Sequence, residues 1–422
     1  MSAAPPTTVV PPVEVPVAPV PTVGSHFRDY LARVLGGDMG ALPAVLGLIA
    51  LCAAFTALRP TTFLTEGNFA NLFTQGAAVT LIAMGLVFVL LLGEIDLSAG
   101  FASGVCAAVL AQLVTLRGFP WYVAVGAALV TGVVIGLVIG FLVAKVGIPS
   151  FVVTLAAFLA FQGIVLLLIK GGTNVSVRDE VLVAIANRNM PPWLGWALTL
   201  LAVAGYAAVQ LVRHRRRSAL GLVTDPLAVV LIRIGVLTVV AGTAVYLLNL
   251  ERSRNALVSL KGVPIVVPII VVLLVVLTFV LQRTAYGRHV YAVGGNREAA
   301  RRAGINVDRI RISVFVICST LAAVGGIVAA SRATSVDANT GGSKVLLYAV
   351  GAAVIGGTSL FGGKGRIVDA VLGGAVIAVI DNGMGLLGRS SGFTFVVTGL
   401  VLLLAASVDA LSRRRAAATG NR

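Results

Sequence analysis

Charge is scarce in this chain, acid above all: 16 Asp and Glu stand against 32 Lys and Arg, and charged residues fill only 11% of 422 positions. Soluble domains carry roughly 25%, so this sequence cannot clothe a globule in a water-facing shell. Histidine is rarer still. His26, His214 and His289 are the only three; they lie outside the apolar runs and at no metal-ligating spacing, which argues against a polytopic metalloenzyme. Cys52, Cys106 and Cys318 fall in apolar stretches and give neither a disulfide framework nor a zinc motif, so they read as packing. No Ser/His/Asp constellation is indicated, and no metal site.

Oil and glycine are abundant instead. Hydrophobic residues make up 58% of the chain and glycines number 48, with a mean hydropathy of +1.01. Apolar runs recur at about 42–58, 76–92, 97–116, 121–144, 150–170, 193–212, 227–249, 263–282, 312–331, 345–360, 366–386 and 393–411, most of them long enough to cross a bilayer. The expectation is an all-α polytopic membrane protein with about 12 transmembrane segments. Gly132, Gly136 and Gly140 repeat at the small-xxx-small spacing that lets helices approach closely in lipid. The formal charge of +16 invites a nucleic-acid reading, but the basic residues are dispersed in short loops. With the N-terminus inside, twenty of the 32 Lys and Arg fall in inner loops and tails, eleven in outer ones and one within a span, which supports an N-in/C-in topology.

Residues 1–24 hold seven of the sixteen prolines and no Lys or Arg, a composition expected of a disordered cytoplasmic tail rather than a signal peptide. A permease domain over 25–412 and a basic cytoplasmic tail over 413–422 complete the organisation. The longest polar segment, about 286–309, lies between two spans. Asn296 is placed to cap a helix of about two turns, with Glu298 in its first turn, Arg301 and Arg302 at its end, and Gly304 as the stop. Ala299, Ala300 and Ala303 would form a small, dockable face.

This segment resembles the coupling loop of the membrane permeases of ATP-binding-cassette sugar importers, the ribose and xylose branch. The pattern N-x-E-A-A-R-x-x-G-I is met by Asn296, Glu298, Ala299, Ala300, Arg301, Gly304 and Ile305, with Arg297 inside it. The resemblance extends to GEIDLSAG (93–100), PSFVVTLAAFLAFQGI (149–164), VIGGTSLFGGKG (354–365) and IDNGMGLL (380–387), and covers most of the chain from about Asn68 to Asp409. It is greatest to the longer, xylose-type members, which share the helix pair at about 193–249. The resemblance implies a permease subunit for a monosaccharide, D-xylose first and ribose, galactose or arabinose as alternatives. It further implies a homodimer in the bacterial cytoplasmic (inner) membrane, a separate cytoplasmic ATPase that holds ATP and Mg, an extracytoplasmic sugar-binding protein, and no cofactor in this chain.

Glu94 and Asp96 interrupt two apolar runs, and ionisable residues at such depth are functional suspects. Asp96 or Ser98 could cap the next helix, and Glu94 could pair with a basic group at the gate or the ATPase contact. With Gly356, Gly357, Gly362 and Gly363 they form the expected helix-break and gate set. The segments 77–110 and 349–380 share a span, polar break, span pattern that suggests an internal repeat with broken or re-entrant helices. GGTSLFGGKG is no phosphate loop, because Thr358 and Gly365 stand where that motif needs Gly and Ser or Thr. A neutral sugar asks for hydroxyl and amide partners, and Gln75, Thr80, Thr154, Gln162, Asn382 and Thr398 are the candidates to line its path. An ion-driven secondary transporter is the competing class. It would need paired charges at mid-membrane, where only Glu94, Asp96, Arg233, Asp369 and Asp381 come close, mostly near the predicted ends of spans.

Overall fold

The computed structural model describes residues 40–170, 173–222, 224–253 and 259–418, together with 24, 28 and 32. Most of the expected proline-rich tail (1–23), His26 and the last four residues of the basic tail lie outside the described residues.

The chain is a succession of helices whose ends follow from local chemistry. After α1 (Leu42–Leu58), with proline in its first turn, α2 (Glu66–Leu91) starts where the Thr65 hydroxyl accepts from the Asn68 amide at 3.3 Å, with Glu66 suited to the helix dipole. α3 (Ala99–Ala111) runs on through a wider turn at Gln112–Leu116, and α4 (Trp121–Phe141) through another at Leu142–Val146. The second stops at Gly147 with φ +84°, a left-handed conformation suited to glycine. α5 (Ser150–Leu168) follows, then the short α6 (Glu180–Asn187), capped by Asp179 between the apolar runs at 150–170 and 193–212. α7 (Pro192–Ala219) and α8 (Leu227–Asn249) form a hairpin, and α9 (Val266–Arg283) leads to α10 (Ala285–Gly295) and α11 (Arg297–Arg302). α12 (Val307–Ala333), α13 (Ser343–Ile355), α14 (Ile367–Leu386) and α15 (Ser391–Ala418) complete the chain.

Ten described helices are long and apolar enough to span, and α1 and α13 are shorter apolar helices of 17 and 13 residues. At 1.5 Å per residue α13 covers only about 20 Å of a hydrocarbon layer about 30 Å thick. The run expected at 345–360 is therefore helical only over Ser343–Ile355, shorter than a full crossing requires.

The core is built on α2, whose residues from Ala77 to Leu92 are almost wholly buried, with α12 and α14 against it. Close approach explains the glycines. A Cβ on Gly132 would stand 2.8 Å from the Ser319 carbonyl oxygen, one on Gly136 2.5 Å from Val316 Cα, and one on Gly140 2.8 Å from Ile312 Cα. The ladder is thus the face of α4 that lies on α12. A smaller core of Ala70, Val245, Leu248 and Val263 pins the far end of α8 to α2.

Cross-contacts fix relative sides. Val175 pairs with Val336 in the one small antiparallel sheet among the described residues, and Asn189 bridges to Pro264, at one end of the bundle. Lys145 meets Asp308 at 2.9 Å, and the Ser150 hydroxyl accepts from the Ile95 amide at 3.3 Å, at the other. The segment around Asn296 lies at this second end.

Candidate functional site

At that end, three separated motifs meet. The break between α2 and α3 turns at Gly93, φ +68°, and the loop after α13 turns at Gly357, Gly362 and Gly363, all with positive φ. The Gly363 amide donates to the Leu91 carbonyl at 2.8 Å, so the two breaks are hydrogen-bonded to one another. The end of α10 seals them, for Gly294 lies so close that a Cβ would collide with the Leu91 carbonyl oxygen and stand 3.0 Å from the Gly363 amide. Tyr291 donates to the Gly365 carbonyl at 2.7 Å. Burial, then the nearby Asp369 carboxylate, push its hydroxyl up, so it remains a neutral donor.

Glu94 is the charge at the centre. Its side chain is 6% exposed, and its Oε1 accepts from Arg297 at 2.7 Å and from Arg311 at 2.7 Å. Arg297 also donates to the Leu92 carbonyl at 3.2 Å. One buried carboxylate therefore ties the first residue of α11 and the first turns of α12 to the break in the membrane. Asp96 acts locally: its Oδ1 accepts from the Ser98 amide at 2.8 Å and hydroxyl at 2.6 Å, shaping the turn into α3. Ser98 precedes α3 without capping it through its side chain, which corrects the Ser98 cap reading. The hydroxyl is already spent on Asp96.

The polar helix itself has the anticipated caps. The Asn296 side chain accepts from the Ala299 amide at 2.9 Å, Gly304 takes φ +83°, and the Ile305 amide closes on the Ala300 carbonyl at 3.1 Å. Glu298 stays exposed, 3.6 Å from Arg301 and 3.4 Å from Arg302. Its small face is divided, because Ala299 and Ala303 are exposed whereas Ala300 is 5% exposed and packs inward. Gly356 closes tightly on the Asp369 carbonyl, and a Cβ on Gly357 would lie 3.2 Å from the Gly40 carbonyl oxygen.

At the opposite end, side chains from α2, α13 and α14 build a polar network around Asp381. Gln75 donates to Asp381 Oδ2 at 2.9 Å, while Lys344 at 3.0 Å and the Tyr348 hydroxyl at 3.1 Å share Oδ1. Lys344 also sits 5.1 Å from the centre of the Tyr348 ring. Asn382 donates to Gln75 at 3.3 Å and to Asn68 at 2.8 Å. A cavity of about 190 Å³ opens here, lined by Gln75, Arg332, Lys344, Tyr348 and Asp381. Carboxylate, amide, ammonium and aromatic face converge on one recess.

Of the candidate path residues, Gln75 and Asn382 are brought together here, and Thr398 lies beside Tyr348. Thr80 is elsewhere, wedged against Gly374 where α2 packs on α14. Thr154 is fully buried and donates to the Ser150 carbonyl at 2.9 Å and the Ile95 carbonyl at 3.3 Å, so it braces the break. Gln162 is exposed on α5, apart from the rest. Asp381, Lys344 and Tyr348 were missed as a site because a carboxylate near a helix end reads as an interfacial charge. The available signal was a Lys and a Tyr one turn apart on an apolar helix.

The family described as branched-chain amino acid transport system / permease component matches residues 68–406. The chain is 35% identical over 371 residues to the xylose transport system permease protein of Escherichia coli (strain K12), covering 88% of this chain and 92% of that one. It is 32% identical to the protein of the same name from Haemophilus influenzae, covering 88% and 96%. It is 30% identical over 382 residues to the ribose import permease protein of Escherichia coli (strain K12), covering 90% and 96%. No solved structure matches the chain.

Proposed function

The chain belongs to the family of transport-system permease components, and from that membership we propose that it is the membrane-spanning subunit of an ATP-driven importer of a monosaccharide, D-xylose first. It is a transport permease and not an enzyme. ATP and Mg belong to a separate ATPase that docks on α11, and an extracytoplasmic binding protein delivers the sugar at the Asp381 end. Two copies form the pathway in the cytoplasmic membrane, with both termini and α11 on the cytoplasmic side.

The observation that carries this reading is Glu94. A docked subunit that moves α11 moves Arg297, and Arg297 shares its carboxylate with Arg311 at the top of α12 and with the break between α2 and α3. A rigid displacement outside the membrane is thereby delivered to the two interrupted helices, which is the transition an alternating-access importer needs. At the far end the sugar meets hydrogen-bonding groups and the Tyr348 ring, chemistry suited to a neutral polyol. The test is uptake of labelled D-xylose into vesicles holding this chain, its ATPase and its binding protein. ATP-dependent xylose accumulation, outcompeting ribose, supports the reading. Accumulation by the chain alone under an ion gradient would overturn it in favour of a secondary transporter.

A further inference from the structure

The α7–α8 hairpin is held to the body unequally. Its outer end is pinned by the small core of Ala70, Val245, Leu248 and Val263, and by Arg252, which donates to the Leu248 carbonyl at 2.6 Å and the Gly262 carbonyl at 3.0 Å. Along α7, by contrast, Gly195 is the only buried residue, so apart from the side packed on α8 this helix stays open over most of its length. Its inner end carries a distinct recess of about 190 Å³, lined by Gln210, Arg213, His214, Arg217, Asp225 and Arg233 among others. Arg233 pairs with Asp225 at 2.8 Å. Arg213 and Arg217 meet no carboxylate among the described residues. Three guanidinium groups therefore share a recess with one acid already engaged.

Depth identifies what supplies the missing charge. α7 has 28 residues, about 42 Å at 1.5 Å per residue, some 12 Å longer than a hydrocarbon layer of about 30 Å. The overhang is the basic stretch 213–217 and the turn after it. Arg233 is the seventh residue of α8, about 9 Å along it, so it sits level with Arg213 across the hairpin. A topological signal requires only that positive charge stay outside the hydrocarbon. It requires neither an arginine two turns into an apolar helix nor a recess that gathers three. Exposed Val209, Val212, Leu227 and Leu231 continue the site along the apolar surface, where acyl chains lie.

We propose that the inner end of the α7–α8 hairpin is a binding site for an anionic phospholipid of the inner leaflet, its phosphate held by Arg213, Arg217 and Arg233 and its chains lying along α7 and α8. The lipid does at this end what the small core does at the other: it fixes the hairpin against the bilayer.

The test uses the full chain, purified and delipidated, then exposed to phosphatidylglycerol or to phosphatidylcholine of the same chains, with bound lipid read by native mass spectrometry. Phosphatidylglycerol is expected to be retained selectively. Arg213→Gln with Arg217→Gln, which spares the Arg233 to Asp225 pair, weakens that retention about thirtyfold, taking each cation near an anionic surface as about 1 kcal/mol. Arg213→Lys with Arg217→Lys keeps most of it. Monodisperse elution of all variants shows that they fold. Equal retention of the two lipids, no loss in the glutamine variant, or displacement of phosphatidylglycerol by millimolar inorganic phosphate would each overturn the proposal, the last by identifying a site for free phosphate. None of these outcomes depends on which sugar is carried.

Discussion

At the scale of single residues, Glu94 separates two kinds of arginine. Arg311 is 15% exposed in its side chain and Arg297 is 45% exposed, though both reach the same oxygen at 2.7 Å. Removing one partner of a buried pair costs about 3–5 kcal/mol, whereas a solvent-screened partner is worth under about 1 kcal/mol. Arg311→Ala is therefore expected to lower the thermal unfolding temperature of the purified permease sharply, and Arg297→Ala to leave it nearly unchanged while uptake falls at least tenfold. Equal losses of stability would show that Arg297 is structural and not a transmitting contact. The pairing of Glu94 with a basic group was legible because an acid interrupting an apolar run must be partnered. Which arginines partner it was not, since they lie some two hundred residues away. The Asp381 network was hidden for the same reason. Gln75, Lys344, Tyr348 and Asp381 fall on three helices, and no spacing within one helix announces a cross-helix bond.

At the scale of elements, spans and caps were readable and orientations were not. The Asn296 cap, the Gly304 stop and the glycine ladder follow from rules acting within one or two turns. The rotation of α11 depends on the body it lies against, which turns Ala300 inward and leaves Ala299 and Ala303 outside. Ala299→Trp and Ala303→Trp are accordingly expected to abolish stimulation of the ATPase without lowering the unfolding temperature, and Ala300→Trp to lower that temperature by overpacking. If the exposed-face variants still couple fully, α11 does not carry the docking surface. The ladder makes a parallel case. A Cβ at Gly136 would meet Val316 Cα at 2.5 Å, whereas one at Gly126, on the same helix, meets nothing within 4 Å. Gly136→Ala is expected to cost about 1–3 kcal/mol, and Gly126→Ala to be neutral or slightly stabilising. Matching unfolding curves would mean that α4 and α12 do not depend on close backbone approach.

At the scale of the whole molecule, the two candidate regions occupy opposite ends of one bundle. α2 and α14 run through both: α2 carries Gln75 toward one end and Leu91 at the other, and α14 runs from its Arg366 cap to Asp381. A push delivered at Glu94 therefore has one continuous helix, almost wholly buried from Ala77 to Leu92, along which to reach the cavity around Asp381, which gives the proposed coupling a physical route. The route has a direction only if the ends face opposite sides of the membrane as the excess of basic residues suggests. Arg302, exposed on α11, and Glu180, exposed at the start of α6, mark the two ends without touching either cluster. With Arg302→Cys, a membrane-impermeant maleimide is expected to label permeabilised cells only. With Glu180→Cys it labels intact cells. Cys106 and Cys318 are buried and Cys52 is half-buried, so the unmodified protein supplies the low background that the comparison needs. The reverse pattern would put α11 outside, where no ATPase operates, and the Asp381 cavity would then open to the cytoplasm. An importer driven from α11 cannot work in that orientation, so this one pair of labelling reactions decides whether the push and the sugar meet from opposite sides.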